Sequence, residues 1–134
     1  TPMAALAERF DYVLVEADGA AGHPLKAHAP WEPVIPAEAG QTICVVGASG
    51  FGRPIAEAAH RPERYASLAG VAETAEAAPE TEAAVLRAEG LHDKIYVNQV
   101  ETLWDLADAK TLAALLDCPV LAGSLYRKEY FPCW

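Results

Sequence analysis

Four short apolar runs punctuate the chain, each bounded by turn-forming or polar residues: Tyr12 to Val15, Thr42 to Val46, Lys94 to Val97 and Pro119 to Ala122. The first, second and fourth are near-continuous rather than alternating, the pattern of strands covered on both faces of a parallel sheet. Ala4 to Phe10 reads as the last turns of a helix leading into the first strand. Pro54 to Ala59 opens with proline at a first helical position, where the missing N–H costs nothing. Glu82 to Ala88 is short and alanine-rich. Leu103 to Leu116 carries the strongest helical signal, because Leu103, Leu106, Leu112, Leu115 and Leu116 recur at helical spacing. Thr102 is placed to cap its start. Alternating strands and helices predict right-handed crossovers and an α/β domain on a mainly parallel, doubly wound sheet.

Residues 19–40 break this rhythm. They hold four prolines (Pro24, Pro30, Pro33, Pro36), two histidines and Trp31. A connection this long without regular structure is functional or disordered as a rule. Its aromatic and apolar content, Val34 and Ile35 included, argues for order. Val71 to Ala78 is an Ala/Glu stretch without glycine or proline, stopped by Pro79, and reads as a solvated helical turn or linker.

A length of 134 residues fits one domain, 1–134, large enough for a core without disulfide staples. The net charge of −9 argues against nucleic acid and anionic membranes as partners, since both are negative themselves. It is compatible with cations such as Mg²⁺ or with a basic partner protein. Cys44, Cys118 and Cys133 form an odd set without CxxC spacing, which argues against a disulfide framework and a zinc ribbon. Cys44 reads as a core residue and Cys133 as part of a mobile tail. The histidines His23, His28, His60 and His92 show no helical i, i+4 pair, so zinc is not expected. With no signal peptide and no apolar stretch long enough to span a bilayer, a reducing, cytoplasmic setting is expected.

Several segments carry candidate chemistry. Val13 to Gly19 is a strand ending in Glu16, Asp18 and Gly19. In open α/β sheets ligands bind beyond the carboxyl ends of strands. Carboxylates there can hold Mg²⁺ or orient water, and glycine lets the backbone approach a phosphate; equally, Asp18-Gly19 is an ordinary turn. Lys26 follows in a loop close enough to pair with the carboxylates or with a phosphate. Val45 to Gly52 suggests either a dinucleotide turn or a nucleophile elbow around Ser49. However, Ile55 stands where the former needs a third glycine and Phe51 where the latter needs its second, so a plain strand-to-helix turn is the simpler reading. His60-Arg61-Pro62 either positions polar groups near the site or ends a helix. Asn98 to Glu101 and Gly123 to Leu125 sit at the ends of the third and fourth runs. An amide and a carboxylate three residues apart can flank a flat ring.

In order, Val15-Glu16-Ala17-Asp18-Gly19, Pro24-Leu25-Lys26-Ala27, Glu32-Pro33-Val34-Ile35-Pro36, His60-Arg61-Pro62-Glu63 and Val97-Asn98-Gln99 resemble the YqeC family, described as selenium-dependent molybdenum hydroxylase accessory proteins or selenium cofactor biosynthesis proteins. The resemblance implies a P-loop NTPase-like fold binding Mg²⁺ and a purine nucleotide, ATP or GTP. Glu16, Asp18 and Gly19 would resemble the segment that holds Mg²⁺ and senses the γ-phosphate. Asn98 to Glu101 would resemble the base-recognition motif, with Gln99 where many GTPases carry lysine and Glu101 where they carry aspartate. Ser124-Leu125 would resemble the last nucleotide-contacting loop.

The resemblance also implies a leading strand and a glycine-rich Gly-Lys-Thr/Ser loop. Nothing of the form GxxxxGK[ST] occurs in these residues. The chain is therefore expected to be an N-terminally truncated version of that fold, or to work without the loop. Little or no NTPase activity is expected of it alone, because most of the phosphate cradle is missing. A missing central strand leaves sheet edges, which close up or pair in a homodimer.

The function implied is maturation of a client molybdenum hydroxylase, with nucleotide binding in the complete protein. The alternative is a non-catalytic interaction module, with Trp31, Tyr126, Tyr130, Phe131 and Trp134 as contacts. A small oxidoreductase using the Gly47 to Gly52 turn is the weakest reading.

Overall fold

The computed structural model describes residues 2–133; Trp134, one of the suggested contacts, lies outside them. The larger sheet has four strands in the order β2 (Ile43–Gly47), β4 (Lys94–Asn98), β5 (Val120–Ser124), β6 (Glu129–Pro132). The first two pairings are parallel and the last is antiparallel. A separate two-stranded parallel sheet joins β1 (Leu25–Lys26) to β3 (Ala59–His60). The helices are α1 (Pro2–Arg9), α2 (Ile55–Ala58), α3 (Pro62–Ala69), α4 (Pro79–Glu89) and α5 (Leu103–Ala114). This is an α/β fold. No helix among the described residues is long and apolar enough to cross a membrane.

Local chemistry explains the helix ends. Thr102 caps α5: its hydroxyl accepts from Asp105 N at 3.1 Å, and Asp105 Oδ2 accepts from Thr102 N at 3.0 Å. Pro79 opens α4, Thr81 Oγ1 accepts from Ala78 N at 3.0 Å, and Gly90 (φ 60°) closes the helix in the left-handed region.

Helices α2 to α5 pack one against the next and cover a single face of the larger sheet. Cys44 and Val46 of β2, Ile95 and Val97 of β4, and Val120 and Ala122 of β5 lie on that face by register. With Tyr65, Ile55, Val85 and Leu112 they form the core. The other face carries Ile43, Val45, Tyr96, Leu121 and Tyr130, and Ile43 and Val45 are 54% and 61% exposed. The expected doubly wound sheet is thus covered by packed helices on one face only. Residues of α1 and of the chain that follows it share a cleft with β2, β4 and α4.

The expected first strand is also corrected. Tyr12 to Val15 joins no ladder, and Tyr12 and Leu14 are 88% and 95% exposed. An apolar run becomes a strand only where a neighbour accepts its backbone hydrogen bonds, and none of the described strands does so here. Strand β2 is a sheet edge, and Gly47 N at its end donates to Pro24 O at 2.8 Å. His60-Arg61-Pro62 does not end a helix but starts α3, with Pro62 at its first position. Cys133 is not on a free tail. Its N–H donates to Val120 O at 3.0 Å, and its side chain packs against the core.

Candidate functional site

The cleft has a volume of about 1290 Å³ and is lined both by open-face residues such as Val45 and Tyr96 and by Glu82, Leu86 and Glu89 of α4. Its walls are mainly apolar, with Val13 and Val15 on one side and Ile43, Val45 and Leu121 on the other. Among its polar lining, Gly47, Asn98 and Gln99 stand where β2 and β4 end, Thr42, His92 and Lys94 stand where those strands begin, Lys26 lies in β1, and Glu16, Asp18 and Gly19 lie in the unpaired chain before it. Six of the eight sequence-predicted site residues are therefore brought to one cleft, although they come from segments some 70 or more residues apart.

The two expected residues outside that wall are Glu101 and Ser124. Ser124 is buried (1% exposed), and its hydroxyl accepts from Arg127 N at 3.1 Å and donates to Glu101 Oε1 at 3.4 Å. Glu101 also lies 3.8 Å from Arg127 Nη2. Both serve the turn between β5 and β6.

Asn98 and Gln99 are held by their carbonyl oxygens. Asn98 Oδ1 accepts from Leu125 N at 3.1 Å, and Gln99 Oε1 accepts from Ser49 Oγ at 2.6 Å. Gln99 sits at φ 65°, in the left-handed region that bulky residues seldom occupy, so the chain turns sharply as β4 ends. Each amide nitrogen, a two-proton donor, makes no hydrogen bond among the described residues. Glycine at position 47 is required by space: a Cβ there would sit 2.6 Å from Gln99 Oε1 and 2.8 Å from Pro24 Cβ.

At the other end of the polar cluster, Lys26 is only 7% exposed at its side chain. Its ammonium donates to Asp18 Oδ1 (2.5 Å), Gly19 O (2.6 Å) and Glu32 Oε2 (2.9 Å). Burial pulls its pKa down, but the hydrogen bonds and charges of Asp18 and Glu32 outweigh it and leave it raised. The second oxygen of Asp18 lies 2.9 Å from His28 Nε2, and His28 Nδ1 lies 3.1 Å from Glu89 Oε1 at the end of α4. The Glu89 hydrogen bond raises the pKa of His28 against the cost of burial. Glu32 Oε1 accepts from Arg61 Nε at 2.9 Å and from Ala29 N at 3.0 Å. Arg61, then Lys26, hold the Glu32 carboxyl well below the usual carboxylate range. A chain of alternating charges, Glu89–His28–Asp18–Lys26–Glu32–Arg61, thus ties the 19–40 loop to α4 and to the start of α3.

Sequence reading missed His28 and Glu89 as members of this chain; it set Glu32 beside Lys26 and offered Arg61 as a residue positioning polar groups near the site, without the pairing of the two. His28 and Glu89 are 61 positions apart, and nothing local in either signals the other. It also missed Glu82, which is buried at 3% exposure on α4 with Tyr65 Oη donating to it at 2.7 Å. Burial pushes the Glu82 carboxyl up to about 7.

Mg²⁺ does not fit the carboxylates as they stand. Both oxygens of Asp18 face cationic or protonatable nitrogens, and Glu16 is exposed without a hydrogen bond to any described residue. Among the described residues no group of three or more His, Cys, Asp or Glu side chains is arranged to hold a metal ion.

A family model described as YqeC protein matches residues 1–63. No curated protein and no solved structure matches the chain.

Proposed function

On the premise of that YqeC match over residues 1–63, we propose that this chain is an accessory protein for maturation of a selenium-dependent molybdenum hydroxylase, and that its cleft takes a purine nucleotide by the base. The observation that carries the reading is the convergence of Asn98, Gln99, Gly47, Gly19 and Glu16 on one cleft of about 1290 Å³. Asn98 and Gln99 reach it from the carboxyl end of a parallel strand, where ligands of α/β sheets settle, and a mainly apolar lining with a few polar groups suits a purine. The Asn98 and Gln99 amide nitrogens are donors aimed at ring acceptors, and Tyr96, Val45 and Leu121 supply apolar surface.

Lys26 is neutralised on two sides by carboxylates, so it orders the loop rather than gripping phosphate. With no Gly-Lys-Thr/Ser loop in these residues the chain binds a nucleotide weakly and hydrolyses little. Three free thiols agree with a reducing cytoplasm.

Calorimetric titration with GTP and ATP tests the reading. Binding that weakens about tenfold in Asn98→Ala, the worth of one good polar contact, supports it. No heat with either nucleotide leaves the second reading, a non-catalytic interaction module. That reading is favoured by the exposure of Tyr12, Leu14, Trp104 and Tyr126, each above 80%.

A further inference from the structure

A second concavity lies away from the cleft, at the outer end of the charge chain. Its volume is about 500 Å³, and Trp31, His60, Arg61 and Arg64 line it together with Pro30 and Glu63. Arg61 commits its Nε to Glu32, and its guanidinium carbon lies 5.5 Å from the centre of the Trp31 ring. Its two Nη groups make no hydrogen bond among the described residues. Trp31 is 70% exposed, which is costly for the largest apolar side chain unless something covers it. Arg61 itself holds φ 60° and ψ 60°, a left-handed conformation that a non-glycine residue keeps only where its surroundings impose it.

These features fit one another. The Glu32 bond commits one nitrogen of the guanidinium, which lies over the Trp31 ring, and leaves the two Nη donors beside an indole that is 70% exposed. That is the arrangement in which arginine grips a carboxylate or phosphate through two parallel hydrogen bonds while a flat group stacks on the aromatic ring. Arg64 adds a second positive charge on the rim; Glu63 opposes an anion there. In a chain of net charge −9, two arginines and a histidine around one hollow form a local exception.

We propose that this hollow is a separate binding site for an anionic aromatic ligand, its phosphate or carboxylate held by Arg61 and Arg64 and its ring stacked on Trp31. The site is independent of the nucleotide cleft, which Trp31 and Arg61 do not line.

Trp31 reports directly on occupancy. With Trp104→Phe and Trp134→Phe it becomes the sole indole of the chain. Titrating that variant with phenyl phosphate is expected to change its fluorescence saturably at millimolar concentration or below, with inorganic phosphate competing more weakly. Arg61→Lys keeps the charge beside Glu32 but loses the planar fork, and is expected to weaken phenyl phosphate about tenfold. Arg64→Ala, exposed and outside the charge chain, is expected to weaken it about threefold while the thermal midpoint stays put. Glu63→Gln is expected to tighten it. The proposal is overturned if no saturable change occurs up to ~10 mM, a free energy no better than about −3 kcal/mol. It is equally overturned if Arg64→Ala binds as tightly as the parent.

Discussion

Lys26 and Asp18 are eight positions apart in sequence and 2.5 Å apart in space, Nζ to Oδ1. The same ammonium reaches Glu32 and the Gly19 carbonyl, so one buried cation organises both ends of the loop that frames the cleft. Replacing Lys26 with Met leaves the Asp18 carboxylate to His28 alone and the Glu32 carboxylate to Arg61 and the Ala29 N–H, with no cation between the two acids. A loss of about 2 kcal/mol is expected, in the range for stranding partly buried charged partners. Chemical denaturation checks the size, and hydrogen exchange should show faster exchange across 19–34.

His28 makes the fold sensitive to alkali. Its pKa is raised in the folded state, so protonation favours folding. That contribution is complete below the ordinary value of 6.5 and is lost as pH rises through the raised value. The thermal midpoint should fall over that interval, and His28→Gln should flatten the fall. An unchanged profile in the variant would remove His28 from the account.

Glu82 acts in a lower window. Its carboxyl moves from 4.5 up to about 7, so the protonated form favours folding. The stabilisation is whole below 4.5 and vanishes as pH rises through about 7, a difference of roughly 3 kcal/mol. Glu82→Gln keeps the shape and the hydrogen bond with Tyr65 without titrating. It should be more stable than the parent at neutral pH, by differential scanning calorimetry, and about equal to it near pH 4.5.

Gly47 is the tightest point of the cleft floor. Gly47→Ala drives a methyl into Gln99 Oε1 and Pro24, and both must shift. The expected cost is about 1–3 kcal/mol by denaturant unfolding, with weaker nucleotide binding because Gln99 loses its position.

What the sequence made legible follows from what is local. The Thr102 cap and strands β2, β4 and β5 are set by neighbours in sequence, and the expected positions lie within about two residues of the observed ones for those strands, whereas Pro79, read as the stop of the preceding stretch, opens α4 three residues before the expected Glu82. Asn98 and Gln99 were legible as a site because they close a parallel strand, whereas Asp18 and Lys26 reach the same cleft through a loop and the separate β1–β3 sheet, by a route the sequence pattern did not show. Tyr12 to Val15 failed for the opposite reason. Its composition is that of a strand, but pairing depends on a partner that composition cannot supply. The antiparallel β6 (Glu129–Pro132) was missed because a proline-bearing edge strand gives a weak local signal. His28 with Glu89 and Tyr65 with Glu82 are long-range pairs, visible only once α3 and α4 are packed.

The central claim is that Gly47, Asn98 and Gln99 form the floor of a nucleotide-base site. Amide chemical-shift mapping of the ¹⁵N-labelled chain during a GTP titration tests it most directly, since it registers weak binding residue by residue. The account predicts saturable shifts centred on Gly47, Asn98, Gln99 and Leu125, absent or much reduced in Asn98→Ala. Shifts confined to other surfaces, or none at millimolar GTP, would contradict it.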